Sequence, residues 1–226
     1  LFDTPLLLCR NYGLDFEQRF VKRIFDIVFS LIAMIPALPF MVISAIAVKL
    51  YDGGPVFYKQ KRLTIDGKEF YVYKFRSMIV DAEKDGRPQL ASEEDDRITP
   101  VGKVLRKFRI DELPQLWNIF LGNMSIIGPR PALWNQDYLT AERDKYGAND
   151  VKPGLTGLAQ ISGRDELEIE DKAKLDGVYA KELKKGSING FLMDVKMFLG
   201  SISSVLRSSG VIEGGTGAIA REFNKA

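Results

Sequence analysis

The chain has 226 residues and a mass of 25.4 kDa, 46% of the residues apolar and 27% charged. That excludes fibrous, low-complexity and disordered classes and leaves room for one compact domain plus an appendage. Thirty-two Lys and Arg against thirty Asp and Glu give a formal charge of +2, too balanced for nucleic-acid binding by bulk electrostatics. A single cysteine, Cys9, excludes an internal disulfide or a thiolate metal cluster and favours a reducing compartment. Histidine is absent, which removes Ser-His-Asp and Cys-His nucleophiles and leaves carboxylates, Lys, Tyr and metal-bound water for chemistry near neutral pH.

Residues 1–19 are mixed in character and start with Leu1 rather than methionine, so they are read as a lead-in and the chain as a fragment or a trimmed form. From Ile27 to Val48 there is no charge, and as a helix this run reaches about 33 Å, roughly the thickness of a hydrocarbon core. Pro36 and Pro39 interrupt it, each removing an intrahelical donor, so a break is expected near the middle. Arg19, Lys22 and Arg23 precede the run and Lys49, Lys59, Lys61 and Arg62 follow it, whereas a crossing segment carries its Lys and Arg excess on one side. These features predict a re-entrant helix-break-helix over 20–50 that dips into one leaflet and returns, with the freed backbone groups satisfied by neighbours. A straight single-pass helix and a signal peptide with an A-x-A-like site at Ala45-Ile46-Ala47 are the competing readings; the run is too long, and too far from the start, for the latter.

Next, residues 55–58 and 70–75 are β-branched and aromatic runs around the turn signal Asp66-Gly67, which predicts a hairpin. The stretch from Asp81 to Thr99 is polar and charged and reads as an exposed loop able to act as a lid. Helices are expected over 101–108 and 114–120, the latter with an early proline, followed by turns around Gly122-Asn123, 128–131, 152–154 and 162–164. Two more helices are expected over 166–184 and 191–207. The second sets Phe191, Val195, Phe198, Leu199, Ile202 and Leu206 on one apolar stripe. Such a stripe covers either a core or a lipid surface, with Lys184, Lys185, Lys196 and Arg207 available to anionic headgroups in the second case. The fold class is therefore α/β, mostly helical with a small β-hairpin, carrying a re-entrant membrane element and amphipathic interfacial helices on a small domain.

Asp111-Glu112-Leu113-Pro114-Gln115 is the most informative local feature. A proline at a helix start sets the preceding carboxylates beside unpaired N–H groups and the positive end of the dipole, which favours the ionised form and makes Asp111 a candidate oxygen nucleophile. The adjacent Glu112 creates a like-charge pair that Mg2+ would relieve while also taking substrate phosphate oxygens. An ordinary acidic first turn is the bland alternative. Arg106, Arg109, the proline-flanked Arg130 and the glycine-preceded Arg164 add guanidinium forks suited to phosphate. No P-loop and no dinucleotide fingerprint is present.

Seven ordered motifs spread over most of the chain resemble the bacterial sugar transferases, the monotopic polyprenyl-phosphate phosphoglycosyl transferases. They are KRIFD from Lys22, YKFRSM from Tyr73, DRIT from Asp96, LRK from Leu105, DELPQLWN from Asp111, GNMSIIGPRP from Gly122 and KPGLTGLAQ from Lys152. The resemblance implies a re-entrant membrane helix and an active site on the cytoplasmic face of the bacterial inner membrane. It also implies a ping-pong reaction in which an aspartate attacks the β-phosphate of a UDP-sugar, UMP leaves, and the phosphosugar passes to polyprenyl phosphate. By position, Asp111 is the nucleophile and Mg2+ contact, Glu112 completes the dyad, and Lys74, Arg106, Arg130 and Arg164 handle phosphates. On a weaker local match, Asp176 is a further active-site carboxylate. The expected partners are a UDP-sugar donor, a polyprenyl phosphate acceptor and the lipid bilayer, with no nucleic acid; a homodimer and downstream glycosyltransferases stay open. The division that follows is a lead-in (1–19), a membrane element (20–50), a catalytic domain with surface helices (51–210) and a tail (211–226). Relatives often carry Ser-Pro at the break where this chain has Leu38-Pro39. A silent membrane-surface scaffold and a carboxylate-pair glycosidase are the alternatives; the glycosidase needs two acids about 5–9.5 Å apart across a sugar bond.

Overall fold

A computed structural model describes residues 14–82, 95–163 and 167–207. Helix α1 spans Phe16–Asp52, a length of roughly 55 Å, and begins where the Asp15 N–H donates to the Gln18 side chain at 3.1 Å. It ends at Gly53, whose φ of 69° lets its N–H close on the Lys49 carbonyl at 3.0 Å. By length and apolar composition α1 can cross a membrane. The residues stay helical through Pro36 and Pro39, so the break expected there is not an interruption of helical residues. Both prolines sit on the exposed side and flank the buried Ala37, so the carbonyls of Ile32 and Ile35 lose their partners away from the protein interior.

The polarity of α1 is turned inside out relative to a helix on a water-soluble domain. Its buried residues are Gln18, Asp26, Ser30, Ala37, Ser44 and Val48, while Ile32, Ile35, Leu38, Ile43 and Leu50 are more than half exposed. Both ends of that face dock on the same domain. Near the start, Lys22 Nζ donates to Asp194 Oδ2 at 2.6 Å and to the Tyr179 hydroxyl at 3.0 Å, and Arg23 caps the end of α3 (Gln115–Leu121) through the carbonyls of Ile119 and Phe120 at 2.7 and 2.5 Å. Near the end, Val48 packs with Phe75 and Leu105, and Asp52 pairs with Arg76.

Strands β1 (Phe57–Leu63) and β2 (Glu69–Phe75) form the expected antiparallel hairpin, with Tyr58 opposite Lys74 and Leu63 opposite Glu69. The connection is tight because Asp66 and Gly67 both take positive φ, 58° and 67°. The remaining elements are α2 (Pro100–Lys107), α3, β3 (Ser125–Ile127), α4 (Asp137–Asp144), β4 (Gly154–Thr156), α5 (Leu158–Ile161), α6 (Ile169–Lys184) and α7 (Ser187–Arg207). Helix α2 starts on Thr99, whose hydroxyl accepts from the Gly102 N–H at 2.9 Å with Pro100 in the first helical position. The sequence predicts turns at 122–123, 128–131 and 152–154 and no strand between or after them, yet β3 and β4 pair there in parallel, Ser125 against Gly154 and Ile127 against Thr156. Glycine permits that approach: a Cβ on Gly154 would lie 2.1 Å from the Gly128 nitrogen. Helix α4 had no distinct signal in the sequence.

Among the described residues, three apolar clusters fill the interior. One joins β3, α6 and α7 through Ile127, Tyr179, Leu183 and Met197; one joins β2 and α3 through Val72, Leu116 and Ile119; the third lies under the end of α1. The stripe read on the last helix faces outward in part, with Leu199 at 60% exposure, and its rings continue the apolar surface of α1. Phe191 meets Phe25 at 4.8 Å and Phe198 meets Phe29 at 5.8 Å between ring centroids. Residues 83–94 of the expected lid lie outside the described residues.

Candidate active site

Asp111 sits in a single 3-10 turn, Ile110–Glu112, between α2 and α3. The chain enters it through Arg109, which takes a left-handed φ of 56°, an uncommon conformation for a side chain of that size. This reversal turns the Asp111 side chain inward, where it is 9% exposed. Helix α3 is then fastened to the hairpin by Asn118, whose amide donates to the Tyr71 carbonyl at 2.7 Å and accepts from the Tyr73 N–H at 2.9 Å. That clasp brings the turn bearing Asp111 and Glu112 to β2 just where Lys74 follows Tyr73.

Three cations stand around the two carboxylates, and a fourth stands beside Lys74. Arg130 Nη2 donates to Glu112 Oε1 at 2.7 Å, and Arg106 is aimed by its Nε bond to Ser77 Oγ at 2.8 Å. Lys74 and Arg106 both act electrostatically on Asp111. The fourth is Arg62, which the sequence reading took for a membrane-flanking charge. It is instead buried in the domain, its Nε and Nη2 held by Gln60 Oε1 at 3.1 and 2.7 Å and its Nη1 by the Pro131 carbonyl at 2.8 Å.

The electrostatics reverse one expectation. A helix start was to favour the ionised form of Asp111; instead, burial and the neighbouring Glu112 push its pKa up to about 6, against the pull of Lys74, Arg106 and Arg130. Burial and the nearby Arg62 bring Lys74 down to about 8, with Arg130 adding to the fall and Glu112 and Asp111 opposing it. At pH 7 to 8 Asp111 is still largely a carboxylate, and desolvated, while Lys74 is poised near neutrality.

Of the residues named from the sequence, the structure gathers Lys74, Arg106, Asp111, Glu112 and Arg130 in one place. Asp176 stands one step behind them: it is 1% exposed, and both Nε and Nη2 of Arg143 land on its Oδ2 at 2.9 and 2.7 Å. Arg143 Nη1 in turn donates to the carbonyl of Arg130 at 2.9 Å. Arg164 lies outside the described residues. Arg62, Ser77, Asn118 and Arg143 support the site and were not singled out by sequence. Only Ser77 and Asn118 lay inside motifs that could have pointed to them.

Among the described residues no group of three or more acidic or thiol side chains is arranged to hold a metal ion. Two adjacent carboxylates, one of them buried and pushed up by the other, are a donor set that fits a hard divalent cation completed by substrate oxygens.

Residues 17–208 match the family model described as bacterial sugar transferase. The chain is 38% identical over 192 residues to the sugar transferase EpsL of Bacillus subtilis, covering 84% of this chain and 90% of that one. It is 40% identical over 189 residues to the UDP-glucose:undecaprenyl-phosphate glucose-1-phosphate transferase of Escherichia coli, and 37% identical over 199 residues to the undecaprenyl-phosphate galactose phosphotransferase of Salmonella typhimurium. Those two alignments cover 80% and 79% of this chain but only 39% and 40% of the longer relatives. By a family-model match over most of its length and relatives of 37 to 40% identity, the chain belongs to the bacterial sugar transferase family.

Proposed function

We propose that this protein moves a sugar 1-phosphate from a UDP-sugar to polyprenyl phosphate, in two steps through Asp111, as the first membrane step of glycoconjugate assembly. The observation that carries the reading is the buried Asp111 beside Glu112, under the influence of Lys74, Arg106 and Arg130. A glycosidase would have no use for those cations, and a scaffold no need to bury one carboxylate against another. The names of the relatives supply the donor and acceptor classes: UDP-glucose and undecaprenyl phosphate for the Escherichia coli protein.

In the first step an Asp111 carboxylate oxygen attacks the β-phosphorus. The bond from that phosphorus to the bridging oxygen breaks, and UMP departs with the electron pair. In the second, a phosphate oxygen of the polyprenyl phosphate attacks the same phosphorus, the bond to Asp111 breaks, and a polyprenyl diphosphate sugar leaves the free carboxylate behind. Covalent relay splits a transfer between two bulky anions into two displacements at one site. Arg130, held against Glu112, offers a fork to non-bridging phosphate oxygens, and Arg106 and Lys74 add positive charge where it accumulates in both displacements. Lys74, near neutrality, is also able to hold a proton shared with the departing phosphate. Asp111 and Glu112 would hold Mg2+, which when bound neutralises phosphate charge and stabilises the leaving UMP.

The membrane part of the reading is a monotopic protein on the cytoplasmic face of the bacterial inner membrane, with α1 re-entrant and α7 on the lipid surface. In its support, a helix that crossed a hydrocarbon core about 30 Å thick would carry its ends to opposite sides, whereas Lys22 and Asp52 both bond to one domain. The test is release of UMP from a panel of UDP-sugars in the presence of Mg2+ and a polyprenyl phosphate in lipid. UMP formation with at least one sugar is expected; none with any sugar in any lipid overturns the reading.

A further inference from the structure

Arg130 reaches Glu112 from a loop of prolines, and neither Pro129 nor Pro131 has an N–H with which to tie it down. Its carbonyls are tied instead, each from a different direction. The Pro129 carbonyl accepts from the Gly154 N–H at 2.8 Å, the Pro131 carbonyl from Arg62 Nη1 at 2.8 Å, and the Ala132 carbonyl from the Leu63 N–H at 3.0 Å. The carbonyl of Arg130 itself is taken by Arg143 Nη1 at 2.9 Å.

Arg143 is 5% exposed on α4, and Asp176 is 1% exposed on α6. Burying such a pair is costly: apolar side chains of similar volume stabilise a domain as well or better. Nor is the pair arranged for stability alone, because both Arg143 donors converge on Oδ2 while Asp176 Oδ1 has no hydrogen-bond partner among the described residues. What the arrangement does supply is a fixed, charge-assisted donor to the one backbone carbonyl that belongs to the phosphate-facing arginine.

We propose that the buried Arg143–Asp176 pair is a positioning device for Arg130: Asp176 locks the guanidinium plane of Arg143, and Arg143 holds the Arg130 backbone so that its side chain meets Glu112 and the substrate diphosphate. The proposal rests on the transferase reading, and it assigns Asp176 a place behind the site, acting through two arginines rather than touching substrate.

A double-mutant cycle on the full chain in lipid, with Mg2+, polyprenyl phosphate and whichever UDP-sugar the wild-type protein converts, tests it. Arg143→Lys keeps the charge but cannot bridge Asp176 and the carbonyl together, and is expected to lower kcat/KM for the UDP-sugar by about 10- to 50-fold. In an Arg130→Lys background, which retains the charge and is expected to keep a measurable rate, the same change is expected to cost less than about 3-fold, because the group being positioned is already altered. Equal losses in both backgrounds, or no loss in either, overturn the proposal and leave the pair a packing feature. Asp176→Asn, nearly identical in shape, repeats the cycle and carries the test should Arg143→Lys not fold. Wild-type protein that converts no UDP-sugar at all is a failure of the transferase reading, seen before any variant is made.

Discussion

Along α1 and α7 most of the large apolar side chains point out, with Ile35 75%, Leu50 80% and Ile188 75% exposed, while Asp26, Ser30 and Ser44 point in. Around Asp111 the reverse concentration occurs: two carboxylates crowd together with Lys74, Arg62, Arg106 and Arg130 in a partly desolvated pocket. Each region breaks a rule of water-soluble domains, and they break it for different reasons. The outer face loses nothing if lipid replaces water, whereas the pocket holds charges at a cost that only an ionic ligand relieves. The first region should tolerate substitution in folding but not in membrane attachment; the second should tolerate it in folding but not in turnover.

The largest expected effect is in the pocket. Arg130→Ala removes the fork that faces Glu112 and should lower kcat for UMP release by about 10²- to 10³-fold, read from steady-state rates. Next is the seam between the regions. Lys22→Met removes the cation from Asp194, leaving its charge held by the Tyr179 hydroxyl, and should destabilise the fold by about 3 kcal/mol in denaturant unfolding in detergent, with Lys22→Arg recovering most of it.

The third effect is on stability and has the opposite sign. The folded-state pKa of Asp111 is raised from 3.8 to about 6, so the folded chain holds that proton more tightly than the unfolded one. Stability from this group is therefore intact below about pH 4 and is lost as pH climbs through 6, at most about 3 kcal/mol. Without Mg2+, Asp111→Asn should be more stable than the wild type at pH 7.5 and no more stable at pH 4, as read from unfolding midpoints. The smallest effect on folding should come from the outer face. Leu199→Asp and Ile188→Asp should change stability in detergent by less than about 0.5 kcal/mol yet shift the protein away from vesicles in a flotation assay.

The parts legible in the sequence were those with local causes. The hairpin was carried by Asp66-Gly67, the body of α2 by its basic run from Val101 although its Thr99 cap falls in the stretch read as loop, the end of α3 by Gly122, and the uncharged run of α1 by composition alone. Asp111, Glu112 and Arg130 were legible because acids before a proline and an arginine between prolines are chemically pointed patterns. What escaped has non-local causes. Strands β3 and β4 are three residues each and exist because Gly128 and Gly154 let distant backbones touch. Arg62 reads as one basic residue in a basic strand, and only the fold reveals that it ends on the Pro131 carbonyl. Arg143 lies in a polar helix with nothing to distinguish it until Asp176, 33 residues on, is found buried against it. The raised pKa of Asp111 escaped for the same reason: helix-end arguments count nearby dipoles, whereas burial depends on what the rest of the chain lays on top.

The central claim is a covalent bond between Asp111 and a sugar phosphate, and intact-protein mass spectrometry with peptide mapping tests it most directly. Protein incubated with its UDP-sugar and Mg2+ but no acceptor should release UMP and gain the mass of one sugar phosphate on the peptide that contains Asp111, the gain vanishing on addition of polyprenyl phosphate. UMP release that strictly requires the acceptor, with no mass gain, or an adduct that persists in Asp111→Asn, would contradict it.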